Sequence, residues 1–115
     1  MHEMSLVQGL IQQLNDLAIE NKMTKVIKIT MEIGPLSGVV VDSFTFGFEA
    51  LSPQDPLLKD AKLIIEVPPV TYNCPTCKHE FKTTGDRPDQ CEKCQEVFLV
   101  PSGGDDLILK QVEME

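Results

Sequence analysis

Cys74-Pro75-Thr76-Cys77 and, thirteen residues later, Cys91-Glu92-Lys93-Cys94 anchor the stretch Tyr72–Phe98. All four cysteines of the chain lie in these two C-x-x-C pairs. A tight turn closing each pair lets both sulfurs point at one centre. Two such knuckles face to face offer four thiolates at tetrahedral corners, an arrangement that suits Zn(II). The spacer is slightly shorter than the roughly fifteen to twenty residues of the commonest four-cysteine pattern, but it has room for a hairpin. Pro75 fits a knuckle because it fixes φ and removes a backbone donor. Two structural disulfides, a redox C-x-x-C pair and iron in the same sulfur cage are the competing assignments.

Working outward, Val70–Asn73 and Val97–Val100 flank the cysteines and are placed to pair as a stem. Ala61–Val67 before them alternates as a strand, with Leu63, Ile65 and Val67 on one face and Lys62 and Glu66 on the other. Pro68-Pro69 ends it. Ser102-Gly103-Gly104-Asp105 reads as a turn, and Leu107–Met114 as a last strand whose facing the pattern leaves open. The cysteine module is therefore an insertion between two strands of one sheet.

Nearer the start, Lys25–Ile33 alternates, with Ile27, Ile29, Met31 and Ile33 pointing one way and Lys28, Thr30 and Glu32 the other. Gly34-Pro35-Leu36-Ser37-Gly38 breaks regular structure. Val40–Leu51 fits both periods. Val41, Phe44, Phe48 and Leu51 follow a helix, Asp42 or Ser43 suits its N-cap, and Pro53 stops it. Gly47 inside that helix counts against it by about 1 kcal/mol. From Ser5, residues Leu6, Val7, Leu10, Ile11, Leu14, Leu17 and Ala18 make one apolar stripe. Ser5-x-x-Gln8 reads as a capping box and Asn21 as a left-handed exit. The expected fold class is α+β: a small sheet of about three strands covered by two helices, with an inserted zinc-ribbon-like module. The expected division is an α/β domain of residues 1–70 plus 101–115 and a cysteine module of residues 71–100.

The chain of 115 residues carries a net charge of −8. Residues 71–100 hold four Lys/Arg against five acids, and four thiolates around a dication add more negative charge. Nucleic-acid binding needs a basic face, so that role is disfavoured. No apolar run reaches transmembrane length, which excludes a membrane-spanning role for the sequence as read and points to a reducing cytoplasm. In that compartment a metal accounts for paired cysteines better than disulfides do. No cysteine sits at the start of a strong helix and no Ser-His-Asp set is evident, so the residues do not point to an enzyme.

The first residues are Met1-His2-Glu3. A bulky second residue protects Met1 from removal, leaving a primary amine directly before His2. That amine, the His2 amide nitrogen and the His2 imidazole close fused five- and six-membered rings. Ni(II) or Cu(II), which favour square-planar nitrogen, can use such a set; Zn(II) and Mg(II) do not prefer it. The fourth donor stays open among the Glu3 amide nitrogen, the Glu3 carboxylate, a water and a donor from elsewhere. A solvated terminal histidine is the competing assignment, and His79, after the first knuckle, reads as a surface residue.

Met1-His2-Glu3 on an amphipathic helix, Ile33-Gly34-x-Leu36-Ser37-Gly38-Val39, two late C-x-x-C pairs and Gly104-Asp105-Asp106-Leu107 together resemble the HypA family of hydrogenase maturation factors. The resemblance runs the full length. It implies a nickel metallochaperone, not an enzyme, that helps insert Ni(II) into [NiFe]-hydrogenase and in some organisms urease. It implies as partners the nickel-handling GTPase HypB, a hydrogenase large subunit and, where urease is served, urease accessory proteins, with the chain a monomer or homodimer. By position it assigns Met1, His2 and Glu3 to transient Ni(II), and Cys74, Cys77, Cys91 and Cys94 to structural Zn(II). A zinc-ribbon adaptor without metal delivery is the alternative function.

Overall fold

The computed structural model describes residues 2–83 and 87–115, and of His2 the backbone alone. Helix α1 (His2–Glu20) leads into strand β1 (Val26–Ile33), helix α2 (Val41–Leu51) with a 3-10 turn at Ser52–Gln54, and strand β2 (Lys62–Glu66). Then come β3 (Val70–Asn73), β4 (Glu80–Thr83), β5 (Val100–Ser102) and β6 (Leu107–Met114).

Two three-stranded sheets result, in orders β2-β1-β6 and β4-β3-β5. In the first, β1 is central, parallel to β2 and antiparallel to β6. The parallel pair needs a crossover, which α2 supplies. Both helices bury their apolar stripes on one face of this sheet. Val7, Leu10 and Leu14 of α1 meet Phe44 and Phe48 of α2 over Ile29, Met31 and Ile33. The α+β architecture, with its inserted cysteine module between β2 and β6, is as expected.

Several expectations about faces and ends are corrected. Ile27 is exposed and Val26 takes its inward place, because the β1–β6 register slips between Val26 and Lys28. A bulge adds one residue to one strand and reverses the alternation beyond it. The register slips again between Thr30 and Met31, which pair with Gln111 and Leu109. Leu107, Leu109, Val112 and Met114 consequently all pack on the core, at a spacing that strict alternation does not allow. Val67 lies beyond β2 and is exposed rather than facing inward with Leu63 and Ile65.

Helix α1 begins at His2, so Ser5 lies within it rather than at its N-cap. At its other end the left-handed residue is Lys22, not Asn21. Asn21 instead caps the Leu17 carbonyl with its side chain, and Met23 N–H closes back on Ala18 O. Helix α2 starts at Val41 with Val40 as N-cap, and neither Asp42 nor Ser43 occupies that position. Gly47 lies where α1 and α2 touch: a Cβ there would stand 3.3 Å from Val7 Cγ2. The residue counted against the helix is what lets the two helices approach.

The stem of the cysteine module pairs β3 with Val100–Ser102, not with Val97–Val100, and Ser102 belongs to that strand rather than to a turn. Val97 and Phe98 are exposed. Val70, Tyr72, Cys74, Cys91 and Leu99 form a second buried cluster against Phe81. The two clusters meet at a backbone junction. Gly34 N–H donates to Asp106 O and Leu36 N–H to Gly104 O, while Gly104 (φ 82°) backs onto Val70.

Candidate metal centres

Each C-x-x-C closes through the same backbone bonds. Lys78 N–H returns to Cys74 O and Gln95 N–H to Cys91 O. Cys74 N–H then reaches His79 O at 2.9 Å, and Cys91 N–H reaches Glu96 O at 2.8 Å. Lys78 and Gln95, the residues after the second cysteines, both turn at φ 66°. Two equivalent six-residue knuckles therefore face each other. Their first cysteines, Cys74 and Cys91, are buried, and their second, Cys77 and Cys94, are exposed.

The four sulfurs lie within 4.8 Å of one another. Across the interface Cys74 Sγ is 3.4 Å from Cys94 Sγ, and Cys77 Sγ is 3.6 Å from Cys91 Sγ. Sulfurs about 2.3 Å from a central zinc ion form a tetrahedron with edges of about 3.8 Å, so these two edges need open by only a few tenths of an ångström and none of the others need close by more than about 1 Å. The acidities agree with that use. Cys77 N–H lowers the Cys74 thiol below its ordinary value. Cys94 N–H, aided by Lys93, holds the Cys91 thiol down to about 6 against burial. The partners behave oppositely. Glu96 N–H pulls the Cys94 thiol down, but crowding by Cys74, burial and the other sulfurs push it up to about 12. Cys77 is likewise raised, although His79 N–H works to lower it. Two thiols lowered and two raised within one cage reflect the crowding of four sulfurs, and a dication bound there would offset the charge of their thiolates.

His79 is half-buried rather than a plain surface residue. Its ring stacks on Phe81 with centroids 5.4 Å apart, and its Nε2 lies 2.7 Å from Glu92 Oε1. At the other candidate site, Met1 and the His2 side chain lie outside the described residues. Glu3 is described, in the first turn of α1, where its carboxylate accepts the Val40 N–H at 3.2 Å. An acidic group there also complements the positive ends of α1 and α2. A shallow cavity of about 330 Å³, lined by Met4, Asp42, Ser43 and Phe46, opens beside this turn. The sequence missed Thr76, Glu92 and Glu96, whose side chains join the knuckles; only their places within or just after C-x-x-C hinted at them.

The sequence profile described as hydrogenase/urease nickel incorporation, metallochaperone, hypA matches residues 1–114. The chain belongs to the HypA family. It is 37% identical over 116 residues to the hydrogenase maturation factor HypA of Actinobacillus succinogenes, with both chains fully covered. It is 35% identical to the factor of the same name from Campylobacter jejuni, again over the full length of both. Among solved structures, the Ni metallochaperone HypA from Helicobacter pylori matches with a TM-score of 0.65 at 29% identity, over 97% of this chain and 96% of that one. Membership in the HypA family is membership in a family of maturation factors. Among the described residues no helix is long and apolar enough to cross a membrane.

Proposed function

We propose that the chain is a nickel metallochaperone that binds Ni(II) at Met1-His2-Glu3 and hands it on during maturation of [NiFe]-hydrogenase, and of urease where one is made. In this reading Cys74, Cys77, Cys91 and Cys94 hold structural Zn(II). Residues 1–70 plus 101–115 carry nickel, and residues 71–100 form the zinc module. The GTPase HypB and a hydrogenase large subunit are the partners, met in the cytoplasm. The observation that carries the reading is the family match across residues 1–114, which includes the Met1-His2-Glu3 start.

The chemistry supports it. An amine, a deprotonated amide and an imidazole suit square-planar Ni(II), whereas the sulfur cage suits tetrahedral zinc, so each metal has its own donors. The engagement of the Glu3 carboxylate by Val40 N–H favours a holding role for it over direct ligation.

Titrating Ni(II) into zinc-loaded wild type, His2→Ala and a variant extended by Gly-Ser before Met1 tests this reading. His2→Ala is expected to weaken nickel binding by at least about tenfold with zinc content unchanged. The extension weakens it as well if the terminal amine is a donor. Acid releases nickel as the imidazole protonates and loses its lone pair. Unchanged nickel affinity in His2→Ala would sink the assignment.

A further inference from the structure

The two knuckles are joined by more than a shared ion. Thr76, inside the first, donates from Oγ1 to Glu96 Oε2 of the second at 2.8 Å. His79, at the end of the first, meets Glu92 inside the second at 2.7 Å. The pattern is nearly two-fold. His79 and Glu96 are the sixth residues of their knuckles, and each accepts on its carbonyl the N–H of its own first cysteine. Each then sends its side chain into the turn of the opposite knuckle. Both outer residues are further fixed, His79 by stacking on Phe81 and Glu96 by accepting Phe98 N–H at 3.1 Å.

We propose that the Thr76–Glu96 and His79–Glu92 clasps hold the two knuckles face to face and so set how slowly the module releases zinc. The inference rests on reading the sulfur cage as a zinc site. A tetrahedral ion leaves by losing one thiolate at a time, and a freed thiolate recaptures it only while the knuckles stay face to face. No disulfide joins the knuckles, and the segment after the first leads away through β4. The clasps bridge the two knuckles, and without them a small separation would carry Cys77 and Cys94, the exposed sulfurs, away from their partners. Exposed polar pairs contribute little to equilibrium stability. Their effect here is on the lifetime of the partly released site.

The test uses Thr76→Val, which keeps shape and loses the hydroxyl, and His79→Phe, which keeps the stack on Phe81 and loses the nitrogen. Thr76→Ser restores the hydroxyl. Zinc release from the full-length protein is followed with an excess of a colorimetric chelator, and the Co(II)-substituted proteins report the sulfur set by absorption. Each of the two variants is expected to release zinc about tenfold faster, within the range that outer-shell partners usually control. The double variant is faster still, Thr76→Ser is close to wild type, and the tetrahedral thiolate spectrum of Co(II) is unchanged throughout. Release at the wild-type rate in the double variant overturns the clasps while leaving the zinc site standing. A changed Co(II) spectrum in Thr76→Val or His79→Phe also overturns them, because the sulfur set itself would then have been disturbed. Absence of thiolate bands in wild type overturns the zinc reading, and the clasps with it.

Discussion

Replacing Gly34 by Ala tests the junction between the two sheets. Gly34 is buried, and a Cβ there would strike the Gly104 carbonyl well inside the 3.0 Å that real Cβ atoms respect. The obstacle is backbone on both sides, so no side chain can turn away. Opening the junction stretches two hydrogen bonds, Gly34 N–H to Asp106 O at 2.8 Å and Leu36 N–H to Gly104 O at 2.6 Å. Two lost bonds and the overpacking together amount to about 2–6 kcal/mol. That is a large share of the roughly 5–15 kcal/mol that holds a domain folded. Urea unfolding of the zinc-loaded protein, followed by circular dichroism, measures it. Gly9→Ala is the matched control, since a Cβ at this exposed helical position meets nothing within 4 Å. It is expected to raise stability by up to about 1 kcal/mol. A Gly34→Ala protein within about 0.5 kcal/mol of wild type, the range of an ordinary surface change, would refute the close approach described here.

Phe48→Ala empties a buried site between the helices and is expected to cost about 3–5 kcal/mol in the same assay, whereas Phe46→Ala, at an exposed position, shifts it by no more than about 0.5 kcal/mol. Lys110 donates to Glu66 across the outer face of the sheet, and that hydrogen bond raises the lysine above its ordinary value. Its contribution is fully present below the unfolded lysine value of about 10.4 and disappears as pH rises through the folded one. Above the carboxylate range, unfolding midpoints of wild type and Lys110→Met are therefore expected to converge at strongly alkaline pH; a constant gap up to that limit would contradict the pair. Stripping the metal with a chelator is expected to speed hydrogen exchange in β3 and β4 while β1 amides stay protected, and simultaneous loss of protection in β1 would show that the two sheets do not open separately.

What the sequence revealed and what it concealed divide along a physical line. The stripe of α1, the helical choice for Val40–Leu51 and the knuckle spacing are local periodicities, and they were legible. Ile27 and the facing of β6 were not, because a bulge is decided by the partner strand and leaves no local mark. The start of α2 was missed because Val40 offers no capping side chain; a carboxylate thirty-seven positions earlier, on Glu3, accepts its N–H instead. Gly47 looked like a helix defect until Val7 was found against it. At the sulfur cage the convergence of the four cysteines was plain from spacing alone. The joining role of Thr76, Glu92 and Glu96 was hidden, since it depends on which residues face each other once both turns have formed.

The pairing of β1 with β6 also orders events during synthesis. The ribosome delivers α1, β1, α2 and β2 first, yet one edge of β1 stays unpaired until Val112, Leu109 and Leu107 arrive. Both knuckles emerge before those residues do. If the cage takes zinc, capture can thus precede closure of the main sheet, and a chain truncated just after Ser102 would be expected to take up zinc while β1 remained open to protease. Contacts between distant parts of a chain are slow to form, so the interval leaves apolar surface exposed. A module folded in that interval holds the start of β6 next to Gly34 and shortens the search that completes the fold.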